Sequence, residues 1–329
     1  MDNVAVIVPY YQRSEGILVR ALESVKNQEL DCITEIIIVD DGSPVSAESE
    51  LQRWGGATNR IKLLTQNNSG AGAARNAGLN AVGSSIRWVA FLDSDDEWLP
   101  GHIDNAITAL QFGYDFYFSD FYFSDFKDQS AFDRAKKIIA YEHRLLDSER
   151  QIYEYIGNFT DQIMVKGNVV GTSNVVYDVR VHSGIRFREE YYNGQDYYFW
   201  LDISENNAKI VFSSRKECDC GVGINIYAGA SWGSSQLLGR LINELTVWQA
   251  IAQEYGHTKP RINKHKQRLA RLRDELTKTI LHRILHGKII TWRDYTRIRS
   301  ADLFYANGVV IFYAVRLFVY KVYSRVRGH

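Results

Sequence analysis

Short, uninterrupted apolar runs alternate with helical patterns over the first 110 residues. Four runs rich in β-branched and aromatic residues are predicted to be buried strands: 4–10, 35–41, 61–67 and 86–98. Apolar residues at helical spacing between and after them predict three helices: 15–28, 69–83 and 100–110. This alternation predicts an α/β fold, with a mostly parallel sheet flanked by helices on both faces.

The pattern changes beyond this region. Residues 114–126 contain FYFSD twice, and their alternating aromatics favour a strand over a stacking platform. Less regular segments follow: a helical one at 131–157, strand and turn at 168–178, and a helix start at 196–205. From about residue 234 the chain is predicted to be nearly all helix, with Pro260 as its only hard break.

Charge separates the two ends of the chain, although 39 Lys+Arg balance 39 Asp+Glu. The segment from His257 onward carries 17 basic and 4 acidic residues, against 22 and 35 in the residues before it. Residues 262–287 and 308–327 each combine an apolar face with Lys and Arg, and the uncharged stretch 306–315 is too short to cross a bilayer. We therefore expect this tail either to lie on an anionic membrane surface or to pack on the rest of the protein. Nucleic acid is not expected, because no binding module accompanies the charge.

Composition narrows the class of protein. A chain of 329 residues with 45% hydrophobic content and 4 prolines is expected to fold rather than stay disordered. The three cysteines form an odd set that suits a reducing cytoplasm, and the first residues do not resemble a secretory signal. Cys218-Asp219-Cys220 lacks a second metal-binding pair, so zinc is not expected there. Neither a dinucleotide-binding fingerprint nor a P-loop follows the first strand.

Acidic residues follow two of the predicted strands. Asp40 and Asp41 come at the end of the second, and the sequence DSDD at 93–96 comes at the end of the fourth, just as Tyr10 and Tyr11 come at the end of the first. Because parallel strands end at the same edge of a sheet, these carboxylates are expected along one edge. Like charges crowded there repel unless a cation or a basic partner lies among them. An Asp-x-Asp turn also suits a hard divalent cation that keeps positions for phosphate oxygens.

Four motifs, in order and near the expected spacing, resemble family 2 glycosyltransferases with the GT-A fold. They are VPYY at 8–11, VDDGS at 39–43, NSGAGAARNAG at 68–78 and FLDSDDEW at 91–98. The resemblance covers about residues 1–230, with a nucleotide-sugar half (1–126) and an acceptor half (127–230), and leaves 231–329 as a helical basic region. It implies a mixed, mostly parallel Rossmann-like sheet, a UDP-sugar donor, Mn²⁺ or Mg²⁺, and inversion at the anomeric carbon. Residues 225–233 are more loosely similar to succinoglycan-type glucosyltransferases, which implies glucose.

The resemblance also assigns the donor side. It implies that the nucleotide sugar is bound by Pro9, Tyr11, Asp40, Asp41, Arg75, Asp93 and Ser94. Asp93 and Asp95 would bind the metal, Asp95 more directly, while Asp96 would support the turn or cap the next helix. Structural alternatives remain: Tyr11 in the core, a capping role for Asp40 or Asp41, and a surface ion pair for Arg75.

The resemblance also implies which residues form the acceptor side. Asp196, after Gln195, matches the position of the family's catalytic base, where a Glu-Asp pair is usual. The alternative for Asp196 is a helix cap, and Gln195 would contact an acceptor hydroxyl while removing one negative charge. Thr172 would line the acceptor side or form a plain turn. Trp232 would stack on a sugar ring or lie in a core.

Together these features predict an inverting, metal-dependent hexosyltransferase of bacterial cell-surface or exopolysaccharide synthesis. Its acceptor would be a polyprenyl-diphosphate-linked or free oligosaccharide, and the enzyme would be peripheral on the cytoplasmic face of the membrane. One alternative is a sugar-phosphate nucleotidyltransferase, although residues 10–12 (YYQ) are not the basic Gly-rich loop it needs. The other is a non-catalytic membrane-associated scaffold, a hypothesis that only Gln195 favours.

Overall fold

The chain forms two compact units, an α/β unit over Met1–Asn225 and a helical unit over Ile226–His329. The computed structural model describes residues 3–28, 31–126, 128–221, 230–232, 234–288, 290–303 and 305–308.

A single mixed sheet organises the N-terminal unit. Its strands are β1 (Val4–Tyr10), β2 (Ile33–Asp40), β3 (Ile61–Thr65), β4 (Trp88–Phe91), β5 (Glu97–Trp98), β6 (Phe116–Phe123), β7 (Arg144–Asp147), β8 (Ile152–Glu154), β9 (Val175–Asp178) and β10 (Ile210–Cys220). They are ordered β3-β2-β1-β4-β9-β6-β10-β8-β7, with β5 paired to β10. Pairing is parallel within β3-β2-β1-β4 and between β6 and β10, and β9 runs antiparallel between β4 and β6. The predicted mixed α/β fold is confirmed.

Seven helices accompany this sheet among the described residues. They are α1 (Ile17–Lys26), α2 (Ala47–Trp54), α3 (Ala71–Asn80), α4 (His102–Gln111), α5 (Ala131–Ala135), α6 (Phe159–Asp161) and α7 (Gln195–Glu205). A 3₁₀ turn over Thr172–Asn174 precedes β9.

The central strands are buried on both faces, which explains their uninterrupted apolar sequence. Every residue of β1 is buried. Val6 and Val8 share a core cluster with Leu18 of α1. On the opposite face, α3 approaches so closely that a Cβ on Gly78 would lie 2.5 Å from Cγ2 of Ile7. The small residues of α3 thus let its backbone lie directly on the sheet.

Residues 131–157 differ from the helix predicted for them. Only α5 is helical for more than one turn there, and the chain then forms the antiparallel hairpin of β7 and β8. Tyr153 in β8 stacks on Phe212 of β10, with ring centroids 5.4 Å apart. Pairing with β10 decides the conformation, because strand preference depends on cross-strand neighbours more than on local sequence.

The C-terminal unit is built from three described helices: α8 (Ser235–Tyr255), α9 (Lys259–Leu285) and α10 (Trp292–Ala301). The predicted apolar face of α9 is buried inside this unit, where its leucines pack with those of α8. The core residues are Leu238, Leu241, Ile242, Leu245, Leu269, Leu272, Leu276, Ile280 and Ile298. Pro260 lies in the first turn of α9, where proline is tolerated, and the breaks fall at 256–258 and 286–288 instead.

The basic face of α9 is the one left outward, with exposed Lys266, Arg271 and Lys278. Across the described part of the chain, no helix is both long and apolar enough to cross a bilayer. The second predicted amphipathic segment, 308–327, lies outside the described residues apart from Gly308.

Truncating the packed face of α9 tests the helical core. Leu276→Ala removes a side chain that is 1% exposed, whereas Leu285→Ala in the same helix removes one that is 72% exposed. We expect the first change to lower the free energy of unfolding of the C-terminal unit by about 2–5 kcal/mol, the usual cost of a buried leucine. Leu285→Ala should change it by less than about 0.5 kcal/mol. Chemical denaturation of both variants measures the difference, and equal effects would contradict the packing described here.

Candidate functional site

Three strand ends meet at the carboxyl edge of the sheet. Gln12, just after β1, donates its backbone N–H to Oγ of Ser43 at 2.7 Å. Its side-chain Nε2 donates to Oγ of Ser94 at 3.1 Å. Ser43 follows β2 and Ser94 follows β4, so one glutamine joins all three ends. The predicted convergence of these segments is therefore observed.

Asp40 and Asp41 are both buried and hold their own loops together. Asp40 accepts the N–H of Ser43 on Oδ1 (2.8 Å) and that of Ala47 on Oδ2 (2.7 Å). Each oxygen of Asp40 is thus already satisfied by a backbone amide, which relieves the repulsion that led us to expect a shared cation. Asp40 therefore stabilises the turn into α2, and its contact with a nucleotide stays a prediction.

Asp41 performs the same task for the Gly-rich turn before α3. Its Oδ1 accepts Nε2 of Gln66 and the N–H of Ser69, both at 2.8 Å. Its Oδ2 accepts the N–H of Gly70 at 2.8 Å. One carboxylate therefore fixes the loop from which α3 begins.

Arg75 extends from α3 toward the end of β4. It is 7% exposed, so the ion pair that it forms is largely buried and not the surface pair considered for it. Its Nη2 lies 2.5 Å from Oδ1 of Asp93, and its guanidinium lies over the ring of Phe187. Within the described ranges, the buried Nε of Arg75 has no hydrogen-bond partner. A buried donor without a partner is uncommon, and this one is available to an acceptor group from outside the protein.

The acid turn, residues 93–96, is held from behind by Ser173. The N–H of Asp93 donates to Oγ of Ser173 (2.9 Å), and that hydroxyl donates to Oδ2 of Asp96 (2.5 Å). Oδ1 of Asp96 accepts the N–H of Gly221 at 2.9 Å. The predicted supporting role of Asp96 in the turn is therefore observed, and no helix cap is involved.

Asp96 is more deeply buried than Asp93 and Asp95, the other two acids of the turn. Burial raises the pKa of Asp96 well above its usual range, and the carboxylates of Asp93 and Asp95 raise it further. Asp93 and Asp95 remain partly exposed at the same turn. Burial therefore disfavours the charged form of Asp96, the acid that lies deepest in the turn.

The donor set of the turn fits a hard divalent cation. Asp93 and Asp95 offer carboxylate oxygens, the ligands that Mg²⁺ and Mn²⁺ prefer. Only one oxygen of Asp93 is used by Arg75. Gly221, directly after β10, lies close behind, since a Cβ on it would fall 1.9 Å from the carbonyl oxygen of Asp95. Glycine at 221 is therefore required for the observed position of the turn.

Asp196 lies in the first turn of α7, which follows Gly194 at a φ of 76°. Burial raises the pKa of Asp196 above its ordinary value. The N–H of Tyr197 and the guanidinium of Arg75 oppose that rise, and Asp93 adds to it. Asp196, Arg75 and Asp93 therefore lie within electrostatic range of one another, although they come from three separate segments.

Gln195 connects α7 to the start of α3. A Cβ on Gly72 would lie 2.8 Å from Cδ of Gln195, so this side chain lies directly against the Gly-rich turn. Its Nε2 donates to the carbonyl of Tyr191 at 2.5 Å. An acceptor contact by Gln195 stays a prediction.

The remaining predicted residues divide between the two units. Pro9 is buried within β1, and Tyr11 just beyond it is partly exposed, so Tyr11 is not a core aromatic. Thr172 begins the 3₁₀ turn that contains Ser173. Trp232 belongs to the C-terminal unit, where it is 61% exposed and its ring lies 5.5 Å from that of His282. That exposure excludes the core position considered for Trp232, and its stacking on sugar stays a prediction.

Three residues that organise the site were not singled out from the sequence: Gln12, Ser173 and Gly221. Their partners lie 77 or more residues away along the chain, apart from Ser43, which is 31 away. A lone Gln, Ser or Gly next to a strand carries no signal of such a partner.

Comparison with known proteins places this geometry in a family. The family model described as Glycosyl transferase family 2 matches residues 5–171. Succinoglycan biosynthesis protein ExoW of Rhizobium meliloti (strain 1021) is 29% identical over 259 residues, which are 76% of this chain and 78% of that protein. The GalNAc(5)-diNAcBac-PP-undecaprenol beta-1,3-glucosyltransferase of Campylobacter jejuni is 33% identical over 120 residues, covering 36% of this chain and 38% of that one.

The fold has solved counterparts as well. The crystal structure of S. aureus TarS 1-349 in complex with UDP-GlcNAc matches with a TM-score of 0.57. The match covers 91% of this chain and 79% of that chain at 16% sequence identity, so it bears on the fold alone. The family match spans half of the chain and contains the ends of β1, β2 and β4 with the acid turn. The chain therefore belongs to glycosyltransferase family 2.

Proposed function

We propose that this glycosyltransferase transfers a hexose, glucose in our assignment, from a UDP-sugar with inversion at the anomeric carbon. A divalent cation, Mn²⁺ or Mg²⁺, would be held by Asp95 and Asp93. The acceptor would be a polyprenyl-diphosphate-linked or free oligosaccharide in the synthesis of a bacterial cell-surface polysaccharide.

The observation that carries the proposal is the meeting of Asp196, Arg75 and Asp93. The pKa of Asp196 responds to both Arg75 and Asp93, and the last two are joined by an ion pair. An inverting transfer needs one carboxylate as base and, beside it, groups that bind an anionic leaving group. These three side chains supply both requirements in one place.

The donor side acts by charge. Breaking the anomeric C–O bond leaves additional negative charge on the β-phosphate, and the cation supplies Lewis-acid stabilisation of that charge. Arg75 would donate to the diphosphate through its unpartnered Nε, while its Nη2 stays on Asp93. Tyr11, Pro9 and the loops held by Asp40 and Asp41 would enclose the nucleoside.

The acceptor side needs one proton transfer. The acceptor hydroxyl would give its proton to a carboxylate oxygen of Asp196 as its oxygen attacks the anomeric carbon. The UDP oxygen would leave with the electron pair of the broken bond. A carboxylate with a raised pKa is a stronger base, which suits this role near neutral pH.

Two relatives support the class of acceptor and product. One is named for succinoglycan biosynthesis and the other for a glucosyl transfer to an undecaprenol-linked acceptor. A lipid-linked acceptor would bring the enzyme to the cytoplasmic face of the membrane, and the outward basic face of α9 suits an anionic surface.

Binding of the donor tests the metal assignment. UDP with Mn²⁺ should raise the melting temperature of the protein, and Asp95→Asn should remove the Mn²⁺-dependent part of the rise, because one oxygen ligand loses its charge. Differential scanning fluorimetry measures both. Asp31→Asn is the control, since Asp31 is exposed before β2 at the opposite edge of the sheet. A parent protein whose melting temperature ignores UDP and Mn²⁺ would refute the donor assignment.

Replacing the proposed base, Asp196, should lower the rate of transfer without lowering the affinity for UDP. Asp196→Asn is expected to lower kcat by about 10²–10⁴-fold while UDP affinity, measured by calorimetry, is preserved. Asp202→Asn, in the same helix, should leave kcat within about twofold. An unimpaired rate in Asp196→Asn would mean that another group takes the proton.

The same residue predicts a pH dependence. Asp196 must be ionised to accept a proton, so kcat should rise with pH through the pKa of Asp196. Because that pKa is raised, the acidic limb should lie above the pH at which an ordinary aspartate titrates. A pH–rate profile measures the limb, and a rate independent of pH down to pH 4 would argue against this base.

The membrane proposal depends on charge at the outward face of α9. Lys266→Gln should weaken binding to vesicles containing anionic phospholipid about fivefold, equivalent to about 1 kcal/mol per basic residue. Lys209→Gln, an exposed lysine of the N-terminal unit, is the matched control. Sedimentation with anionic and with neutral vesicles measures the effect. Equal binding by both variants and the parent would show that the basic face of α9 does not contact the membrane.

A further inference from the structure

A group of potential metal ligands lies beside the acid turn. One ligand atom each from Asp96, Cys218 and Cys220 falls within 4.8 Å of the other two. Cys218 is fully buried, Asp96 is 8% exposed, and Cys220 is partly buried. Among the residues that the structure describes, this is the only such group of three or more His, Cys, Asp or Glu side chains.

Strand pairing explains why the group forms. Cys218 and Cys220 are two residues apart in β10, so their side chains point to the same side of the strand. Directly after the acid turn, β5 pairs with this end of β10, with Trp98 opposite Cys218. The third ligand therefore comes from a segment 122 residues earlier. The sequence pattern lacked a second ligand pair, and the fold supplies an aspartate in its place.

The spacing suits one thiophilic cation. In a tetrahedral zinc site the sulfur atoms lie roughly 3.8 Å apart, a separation within the 4.8 Å limit observed here. A disulfide is less well matched, because two cysteines separated by one residue in an extended strand have Cα atoms about 6.6 Å apart, near the upper limit for that bond. Zinc accepts both thiolate and carboxylate ligands, and three protein ligands leave its fourth tetrahedral position open.

We propose that Asp96, Cys218 and Cys220 form a binding site for one thiophilic divalent cation, which we assign as Zn²⁺. Two thiols would lose their protons to solvent as the cation binds. The site is chemically distinct from the donor-metal position, because thiolates select Zn²⁺ whereas the oxygens of Asp93 and Asp95 select Mg²⁺ or Mn²⁺.

The two positions are coupled through the acid turn. Ser173 donates to Asp96 and accepts the N–H of Asp93, so the carboxylate of Asp96 is one hydrogen-bonded residue away from the donor-binding backbone. A divalent charge at Asp96 also repels a second one at Asp95. Zn²⁺ bound to the cysteines should therefore weaken Mn²⁺ binding at the turn. This coupling rests on the proposed function, whereas the thiol site does not.

Titration of the reduced, metal-free full-length protein with Cd²⁺ tests the site directly, since cadmium–thiolate bonds absorb in the ultraviolet. One equivalent of Cd²⁺ should produce the charge-transfer band, and Zn²⁺ should displace it. The band should disappear in Cys220→Ser and in Cys218→Ala. It should persist in Cys32→Ser, because Cys32 precedes β2 at the opposite edge of the sheet. Asp96→Asn should keep the thiolates but weaken binding about tenfold or more.

A folding control keeps the result unambiguous. Cys220 is only partly buried, so Cys220→Ser should melt within a few degrees of the parent. If a folded Cys220→Ser protein retains the full band, or if the parent shows none at one equivalent of Cd²⁺, the site does not exist.

Coupling is measured separately by electron paramagnetic resonance of free Mn²⁺ in the presence of UDP. One equivalent of Zn²⁺ should raise the Kd for Mn²⁺ by about fivefold or more in the parent and not in Cys220→Ser. An unchanged Kd in the parent would reject the coupling. Absence of any Mn²⁺ binding would contradict the donor-metal assignment and leave the cadmium result standing.

Discussion

Negative charge crowded at one edge of a sheet is the constraint around which this site is built. Asp40, Asp41, Asp93 and Asp96 all lie at the carboxyl edge, and each has hydrogen-bond donors of its own. Backbone amides serve the first two, Arg75 serves Asp93, and Gly221 with Ser173 serves Asp96. These hydrogen bonds and the ion pair offset part of the repulsion among the four carboxyl groups, although the charge of Asp93 still raises the pKa of Asp96.

That arrangement gives the acids different tasks although they look alike in sequence. The carboxylate oxygens of Asp40 and Asp41 accept hydrogen bonds from loop residues, so these two acids fix the loops at the carboxyl edge of the sheet. Asp93 keeps one oxygen clear of its ion pair with Arg75 and remains accessible to a ligand. Asp96 is turned away from the opening and toward β10. Differences in hydrogen-bond partners, rather than in residue type, thus separate supporting acids from those suited to binding.

Sequence patterns predicted the parts of the molecule that depend on local order. β1, β2 and the helical stretch of α3 follow from uninterrupted apolar runs and from small residues at helical spacing, and strand direction alone brings their ends together. β10 escaped prediction because only its first three residues are apolar, and its remaining length is stabilised by pairing with β6. The identity of the buried supports was equally inaccessible. Ser173 reaches the acid turn only after β9 inserts between β4 and β6, a pairing that no local pattern encodes.

The sequence pattern of the helical tail also left its environment undetermined. An amphipathic pattern in α9 is compatible with a lipid surface and with a protein core, and periodicity does not distinguish them. The structure assigns its leucines to a core with α8, so any attraction to lipid must come from charge and not from insertion of that face.

The hydrogen bonds of Asp41 have a further consequence for how a ligand would be received. They hold the Gly-rich turn in a fixed conformation without any help from a bound molecule. A rigid turn has little conformational freedom left to lose, so the entropic cost of association is paid during folding. Any ligand that contacts this turn should then meet a surface that is already formed, with little contribution from induced ordering of this loop.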